Sequence, residues 1–412
     1  MDYEKLIFNT REAFSRVTLE KRMQQYGFKN IERMEKFLWD LELFLQIQNI
    51  LRENIVLKGG AATQFYLPIY AQRTSIDIDM MYNGKFEEID KVLEKIKNIF
   101  ENNEGLFEFK IHKPKNPKTS LPLYTYFVNV PSELETKDLY NKNDEQVPFQ
   151  ELKVEFIIQN SKLTYHKKKG NNLFAVNSEL EYQVLPINHL FADKLTTLGP
   201  NTIGVQDVRL DEQVKQFYDI LMLTRYNFKD FNIKLIKDLY LNRAKQESES
   251  RDINYDIDVI KNDVIKQLER YSLVDSGEDP VLKNTINDFK SLYLNAKVEY
   301  NQQIVSCGAK LIMLMYETII DGDSWNIVEA ALYIENRLEL NEYSGKAKGL
   351  KAKELREMLI YKFAAYSDLS PNVLKGKRLN RIFWSVINKD NVFEIKDLIE
   401  KSVEEQCALS DA

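Results

Sequence analysis

Apolar positions along the chain recur with two different periods, and the changes between them mark out the elements. Residues 3–50 follow helical spacing with no glycine or proline except Gly27, so Tyr26-Gly27-Phe28 is predicted to separate two helices. The second, Ile31 to Ile47, carries Met34, Phe37, Leu38, Leu41 and Leu45 as one stripe, suited to packing on a sheet. The pattern then becomes strand-like. Ile55-Val56-Leu57 is a short, partly β-branched run that stops, after Lys58, at Gly59 and Gly60, and reads as a buried strand entering a tight turn. Ile76-Asp77-Ile78-Asp79-Met80 alternates with period two, which puts Ile76, Ile78 and Met80 on the core face and Asp77 and Asp79 together on the other. Phe86 to Phe100 returns to helical spacing through Val92, Ile96 and Phe100. Phe107 to Ile111, Leu123 to Val130 and Leu152 to Ile158 read as strands, with the charged stretch Glu133–Asp144 as a loop.

Two amphipathic helices are predicted next. Pro186 to Leu198 turns Leu190, Phe191, Leu195 and Leu198 inward, and Val208 to Tyr226 does the same with Val214, Phe217, Tyr218 and Leu221. From Asn232 onward the chain is almost all helix-like: Leu235 to Arg243, Val259 to Tyr271, Val281 to Asn301, Ile304 to Ile320, Trp325 to Leu338 and Ala352 to Ala365. The polar stretches Ala244–Asp256 and Leu340–Lys351 are expected to be loops. The fold class expected is α+β, a small mixed sheet flanked by helices and followed by a mostly α-helical C-terminal domain. The division falls near residue 231, giving segments 1–231 and 232–412.

Composition changes this picture little. The chain has 412 residues, enough for two domains or one elaborated domain, and 44% hydrophobic content supports a proper core. A formal charge of −6 gives no global basic footprint, so a nucleic-acid partner needs a local patch. Cys307 and Cys407 lie far apart, no signal peptide is evident, and a reducing cytoplasm with no structural disulfide is the expected setting. Ile304 to Ile320 comes nearest to a membrane span but is interrupted by Ser306, Lys310 and Glu317, and is read as a buried core helix.

The chemistry concentrates at residues 54–82. Two carboxylates side by side repel each other unless something positive sits between them. Hard divalent cations such as Mg²⁺ suit oxygen ligands and bridge to substrate phosphates. A lone Asp-x-Asp is most often a solvated strand face; Asp256-Ile257-Asp258 is a second copy, read as surface or a helix start. What distinguishes Asp77 and Asp79 is the strand, the Gly59-Gly60 turn whose backbone can approach a ligand closely, and Arg73-Thr74-Ser75 before them. Glu155 in Lys153-Val154-Glu155-Phe156 is the natural third carboxylate, weighed evenly against a plain exposed Glu. Lys194 is placed to clamp a triphosphate, although alone it reads as a surface lysine. Lys215 and Asp219, four apart, share one helix face and read either as an ion pair or as phosphate holder and orienting carboxylate. His166-Lys167-Lys168-Lys169-Gly170 reads as a solvated turn more often than a nucleic-acid contact. Lys375, Lys377, Arg378 and Arg381 beside Phe383 and Trp384 read as an amphipathic helix before they read as a stacking platform. His112, His166 and His189 show no metal-ligand spacing, and no Ser-His-Asp or Cys-His arrangement is suggested.

Over roughly residues 50–225 these motifs resemble the nucleotidyltransferase-like toxins of the AbiE type, the AbiEii family, with the mycobacterial MenT toxins as relatives. The matching residues are Gly59-Gly60, then Arg73-Thr74-Ser75-Ile76-Asp77-Ile78-Asp79, then Asp193-Lys194-Leu195, then Phe217-Tyr218-Asp219-Ile220. Where many members have a basic residue followed by Asp before the aromatic pair, this chain has Lys215-Gln216, which shifts weight from position 216 to Lys215 and Asp219. The resemblance implies a nucleotidyltransferase-like fold for the first segment and a metal-dependent transferase. Asp77, Asp79, Lys194 and Asp219 would be catalytic, with one or two Mg²⁺ on Asp77, Asp79 and Glu155. Lys58, Gly59, Gly60, Arg73, Ser75 and Lys215 would bind the nucleoside triphosphate (NTP). It further implies a toxin of a toxin–antitoxin or phage-defence pair, a separate DNA-binding antitoxin, and an RNA acceptor such as the tRNA 3′ end. A protein-modifying nucleotidyltransferase, a non-catalytic nucleotide-binding module and a sugar-nucleotide enzyme are the alternatives. The last does not need the Gly-Gly turn or Lys194.

Overall fold

The computed structural model describes residues 7–101, 108–111, 123–134, 149–159, 161–343, 350–366, 370–375 and 377–410. Seven strands form one mixed sheet: β1 Ile55–Lys58, β2 Asp77–Tyr82, β3 Glu108–Ile111, β4 Leu123–Pro131, β5 Phe149–Ile158, β6 His166–Lys169 and β7 Glu181–Val184. Their order across the sheet is β3-β4-β5-β2-β1-β7-β6. The pairs β2–β5 and β1–β7 are parallel, and the others antiparallel. The Asp-x-Asp strand is therefore central, with neighbours on both sides.

The period-two reading of β2 holds for side chains: Ile78 and Met80 are buried, while Asp77 and Asp79 face the other way and are half-buried. Against the apolar face lie the helices Ile31–Leu51 and Phe86–Glu101. They share one core with Val56, Leu57, Val154 and Phe156. Gly27, at φ 82, ends the helix Arg16–Tyr26 in a left-handed turn before Asn30 caps the next, so the predicted break is real. Buried Glu35 fastens that helix to the β4–β5 hairpin, accepting hydrogen bonds from the Ser132 hydroxyl and Glu133 N–H at 2.8 Å, and from the Gln150 amide.

The helices Ile187–Leu195 and Leu210–Asn227 pack mainly with the C-terminal helices, in a second apolar cluster running from Leu67 to Ile399. Residue 231 falls inside this cluster, so the two predicted segments share a core across that point. Gln302–Asp321 is long and apolar enough by length and composition to cross a membrane. Here it is a core helix, with Leu311, Met315 and Ile319 fully buried.

Four sequence expectations are corrected. His166–Lys169 is an edge strand paired with Glu181–Val184, not a turn, and the latter strand was not predicted at all. The helix expected to stop at Arg243 runs on to Ser250, because Ala244 and Ser248 continue its buried stripe. The helix expected to reach Asn301 stops at Tyr293. Asp256 does cap a helix, accepting from the N–H groups of Asp258 and Val259, as its reading as a helix start requires. Helix persists through Tyr343 in the expected Leu340–Lys351 loop. His112, Phe107 and most of the Glu133–Asp144 stretch lie outside the described residues.

Candidate active site

β1 ends at Lys58, and Gly59 opens the short helix Gly59–Gln64. Gly59 has φ +68, and a Cβ there would overlap the Asp79 carboxylate. A Cβ on Gly60 would come within 2.7 Å of the Arg73 guanidinium and 2.9 Å of the Ser75 hydroxyl. The two glycines thus allow the turn to lie directly against the Arg-x-Ser-x-Asp-x-Asp segment.

Register fixes what stands beside the aspartates. Lys58 is opposite Asp79 on β1, while Lys153 is opposite Asp77 and Glu155 opposite Asp79 on β5. Glu155 is engaged at both oxygens, by Lys153 at 2.8 Å and by the Thr125 hydroxyl at 3.1 Å. Burial pushes Asp79 up to about 7, with Glu155 and Asp77 adding to the rise against Lys58 and Lys194. Asp77 is raised by burial too, opposed chiefly by Lys153. Burial alone would lower the Lys153 ammonium, but Glu155, Asp77 and Asp79 lift it above its usual value.

A second layer of ion pairs comes from the helices. Asp219, fully buried, takes a bidentate hydrogen-bond pair from Arg73 at 2.7 Å on each oxygen, and Lys194 donates to the same carboxylate at 2.8 Å. Burial would raise Asp219, but these two cations hold it below the usual carboxylate range. Lys194 also donates to Gln216 at 2.7 Å, and Gln216 donates onward to Glu212 at 2.6 Å. Lys58 pairs with Asp193 at 3.1 Å, and Arg243 reaches the other oxygen of Asp193 at 2.5 Å.

Between the layers lies a pocket of about 300 Å³. Lys58, Gly59, Asp79, Glu155, Asp193, Lys194, Gln216 and Arg243 all line it. The sequence-predicted residues are thus largely assembled, in unequal positions. Lys58, Gly59, Asp79, Glu155 and Lys194 face the pocket. Asp77 stands two residues away from Asp79 on the same strand face. Arg73 is only 4% exposed and its donors go to Asp219 and the Thr74 carbonyl, so it reaches the site through Asp219. Ser75 is buried against Gly60. Lys215 does not pair with Asp219; it bonds Glu212 at 3.0 Å and lies over the Tyr293 ring.

Sequence reading gave no role to Asp193, Arg243, Gln216 or Lys153. Asp193 had a signal, its place beside Lys194, and Lys153 had its spacing from Glu155. Arg243 had none, because its helix joins the site only in three dimensions. Elsewhere, Lys167 and Lys169 on the edge strand pair with Glu181 and Glu179. Arg381 is buried on Asp275, and Phe383 and Trp384 are core residues, which excludes a stacking platform there.

The donor set fits a hard divalent cation. It offers only oxygen, and burial with mutual repulsion disfavours the charged aspartates until a cation joins them. Among the described residues no group of three or more acidic, His or Cys side chains is already gathered to hold an ion. Two carboxylates suffice for Mg²⁺, which keeps waters and takes phosphate oxygens as further ligands.

No curated protein matches the chain. Among solved structures it is similar to MenT4, a nucleotidyltransferase toxin from Mycobacterium tuberculosis H37Rv, at 12% identity and TM-score 0.36, over 59% of this chain and 74% of that one. It is also similar to the Megavirus polyadenylate synthase, at 12% identity and TM-score 0.25, over 55% of this chain and only 36% of that one. The family model described as nucleotidyl transferase AbiEii toxin, type IV toxin–antitoxin system, matches residues 43–299, from within the helix behind the sheet to beyond Arg243. With that match over more than half its length, the chain belongs to the AbiEii toxin family and is a nucleotidyltransferase.

Proposed function

We propose that the chain transfers a nucleoside monophosphate from an NTP to an RNA hydroxyl, that of the tRNA 3′ end, with Mg²⁺ held by Asp77 and Asp79. The observation that carries this reading is the opposition, across one pocket, of the Asp79 carboxylate and the Lys194 ammonium, the latter fixed by buried Asp219. In the reaction the acceptor oxygen attacks the α-phosphorus and the bond to the β-phosphate oxygen breaks. Pyrophosphate leaves with the bonding pair, and the acceptor's proton passes to the carboxylate face. When bound, Mg²⁺ neutralises triphosphate charge and makes the acceptor hydroxyl more acidic. Lys194 keeps a donor beyond its bonds to Asp219 and Gln216 for a phosphate oxygen. Lys58 adds positive charge beside Asp79, and the Gly59-Gly60 backbone lies within reach of the phosphates. Arg73 and Asp219 position Lys194 and do not touch the substrate.

Family membership supports the remaining parts: a toxin acting in the cytoplasm, a separate DNA-binding antitoxin, and a role in phage defence. The test is incubation of the protein with Mg²⁺, each α-labelled NTP in turn and total tRNA, beside the Asp77→Ala/Asp79→Ala variant. Label on RNA that needs the aspartates is the expected result. Label on protein moves the acceptor to protein. No label, with nucleotide still bound, leaves a binding module and overturns the proposal.

A further inference from the structure

The carboxylate face already contains a cation. Lys153 stands opposite Asp77 across the β2–β5 pair and bonds Glu155, Asp79's own partner on β5, at 2.8 Å. The cations that line the pocket pair with carboxylates outside this row: Lys58 and Arg243 with Asp193, and Lys194 with Asp219. Lys153 is the one whose ion-pair partner lies within the carboxylate row itself. Glu155 holds Lys153 on one oxygen and the Thr125 hydroxyl on the other, so a metal ion there would compete with a bound ammonium for the same carboxylate.

We propose that Lys153 takes the place of a second metal ion, so that the site binds one divalent cation per chain, on Asp77 and Asp79. Resting on the metal-dependent reading above, this fixes its stoichiometry. Within the β2–β5 pair alone, three carboxylates face one ammonium, that of Lys153. A second ion beside Glu155 would meet the Lys153 ammonium at close range, and like charges in a half-buried site oppose each other strongly. The Lys153 side chain is 37% exposed, so its replacement removes charge without opening a buried cavity.

The experiment is titration of the full-length protein with Mn²⁺, without nucleotide, reading free ion by electron paramagnetic resonance. Wild type is expected to bind one Mn²⁺ per chain and Lys153→Arg also one. Lys153→Gln, which frees Glu155 and removes the charge, is expected to bind a second. Circular dichroism shows that each variant is folded. Two ions on wild type, or one on Lys153→Gln with unchanged affinity, overturns the proposal and leaves the transferase reading intact. No ion on wild type also overturns it. Transfer that then survives a chelator sinks the metal-dependent reading as well, whereas transfer abolished by chelator sinks only this one.

Discussion

Asp219 is a buried carboxylate that two cations hold in place. It is fully buried, and its charge is tolerable only because Arg73 and Lys194 share it. Asp219→Asn keeps the shape and leaves two buried cations short of a counter-charge. The expected cost is about 3–5 kcal/mol of stability, the range for breaking a buried pair, read from urea unfolding midpoints. Transfer should fall with it, because Lys194 loses its fixed position. Gly59 makes a different demand. Gly59→Ala meets both an unfavourable φ and the Asp79 carboxylate. Gly277→Ala, at φ +83 with nothing within 4 Å, meets only the first. Each should lose about 1–3 kcal/mol from backbone strain. Only Gly59→Ala should also lose transfer, which parallel denaturation and transfer assays will separate.

Among the elements, the helix Ile31–Leu51 holds the sheet from behind, and its acids make stability depend on pH. Burial pushes Glu35 up to about 7 against the hydrogen bonds from Glu133, Ser132 and Gln150, and burial raises Asp40 and Glu42 as well. A carboxyl whose folded pKa exceeds its unfolded value binds more protons when folded. Its stabilising share is therefore complete below about pH 4.5 and lost as pH rises to about 7. Glu35→Gln should remove a stability slope worth on the order of 2–3 kcal/mol between those limits, seen as unfolding curves that differ less between pH 5 and 7. An unchanged slope would assign it to Asp40 and Glu42. Elements with a clear period were legible in the sequence: the stripe of Ile31 to Leu45, and the alternation of Ile76 to Met80. β6 and β7 were not, because His-Lys-Lys-Lys has no apolar alternation and is a strand only through its partner. The helix from Ile233 ran on to Ser250 through tertiary burial of Ala244 and Ser248, which polarity alone conceals.

At the scale of the whole molecule, the C-terminal half completes the site. Arg243, from the helix Ile233–Ser250, shares Asp193 with Lys58 of the sheet. The backbone at Thr74 is pinned to the Tyr293 carbonyl at 3.0 Å. These contacts join residues 50 to 219 positions apart in sequence, so no local pattern announces them. The glycine turn, the aspartates, Lys194 and Asp219 were legible because their motifs are local, and family resemblance tied those motifs together. Arg243→Ala leaves largely buried Asp193 with Lys58 alone, so it should cost about 1–3 kcal/mol of stability and raise KM for the NTP about tenfold, equivalent to about 1.4 kcal/mol of binding. Steady-state kinetics will show whether kcat carries the loss instead, which would place Arg243 nearer the chemistry. Nucleotidyl transfer at the sheet face bearing Asp77 and Asp79 is tested by single-turnover transfer from α-labelled NTP to tRNA, comparing wild type with Asp79→Asn and measuring nucleotide binding in parallel. Asp79→Asn should still bind nucleotide but transfer at least about a hundredfold more slowly; transfer at the wild-type rate by that variant would rule out a role for Asp79 in the chemistry.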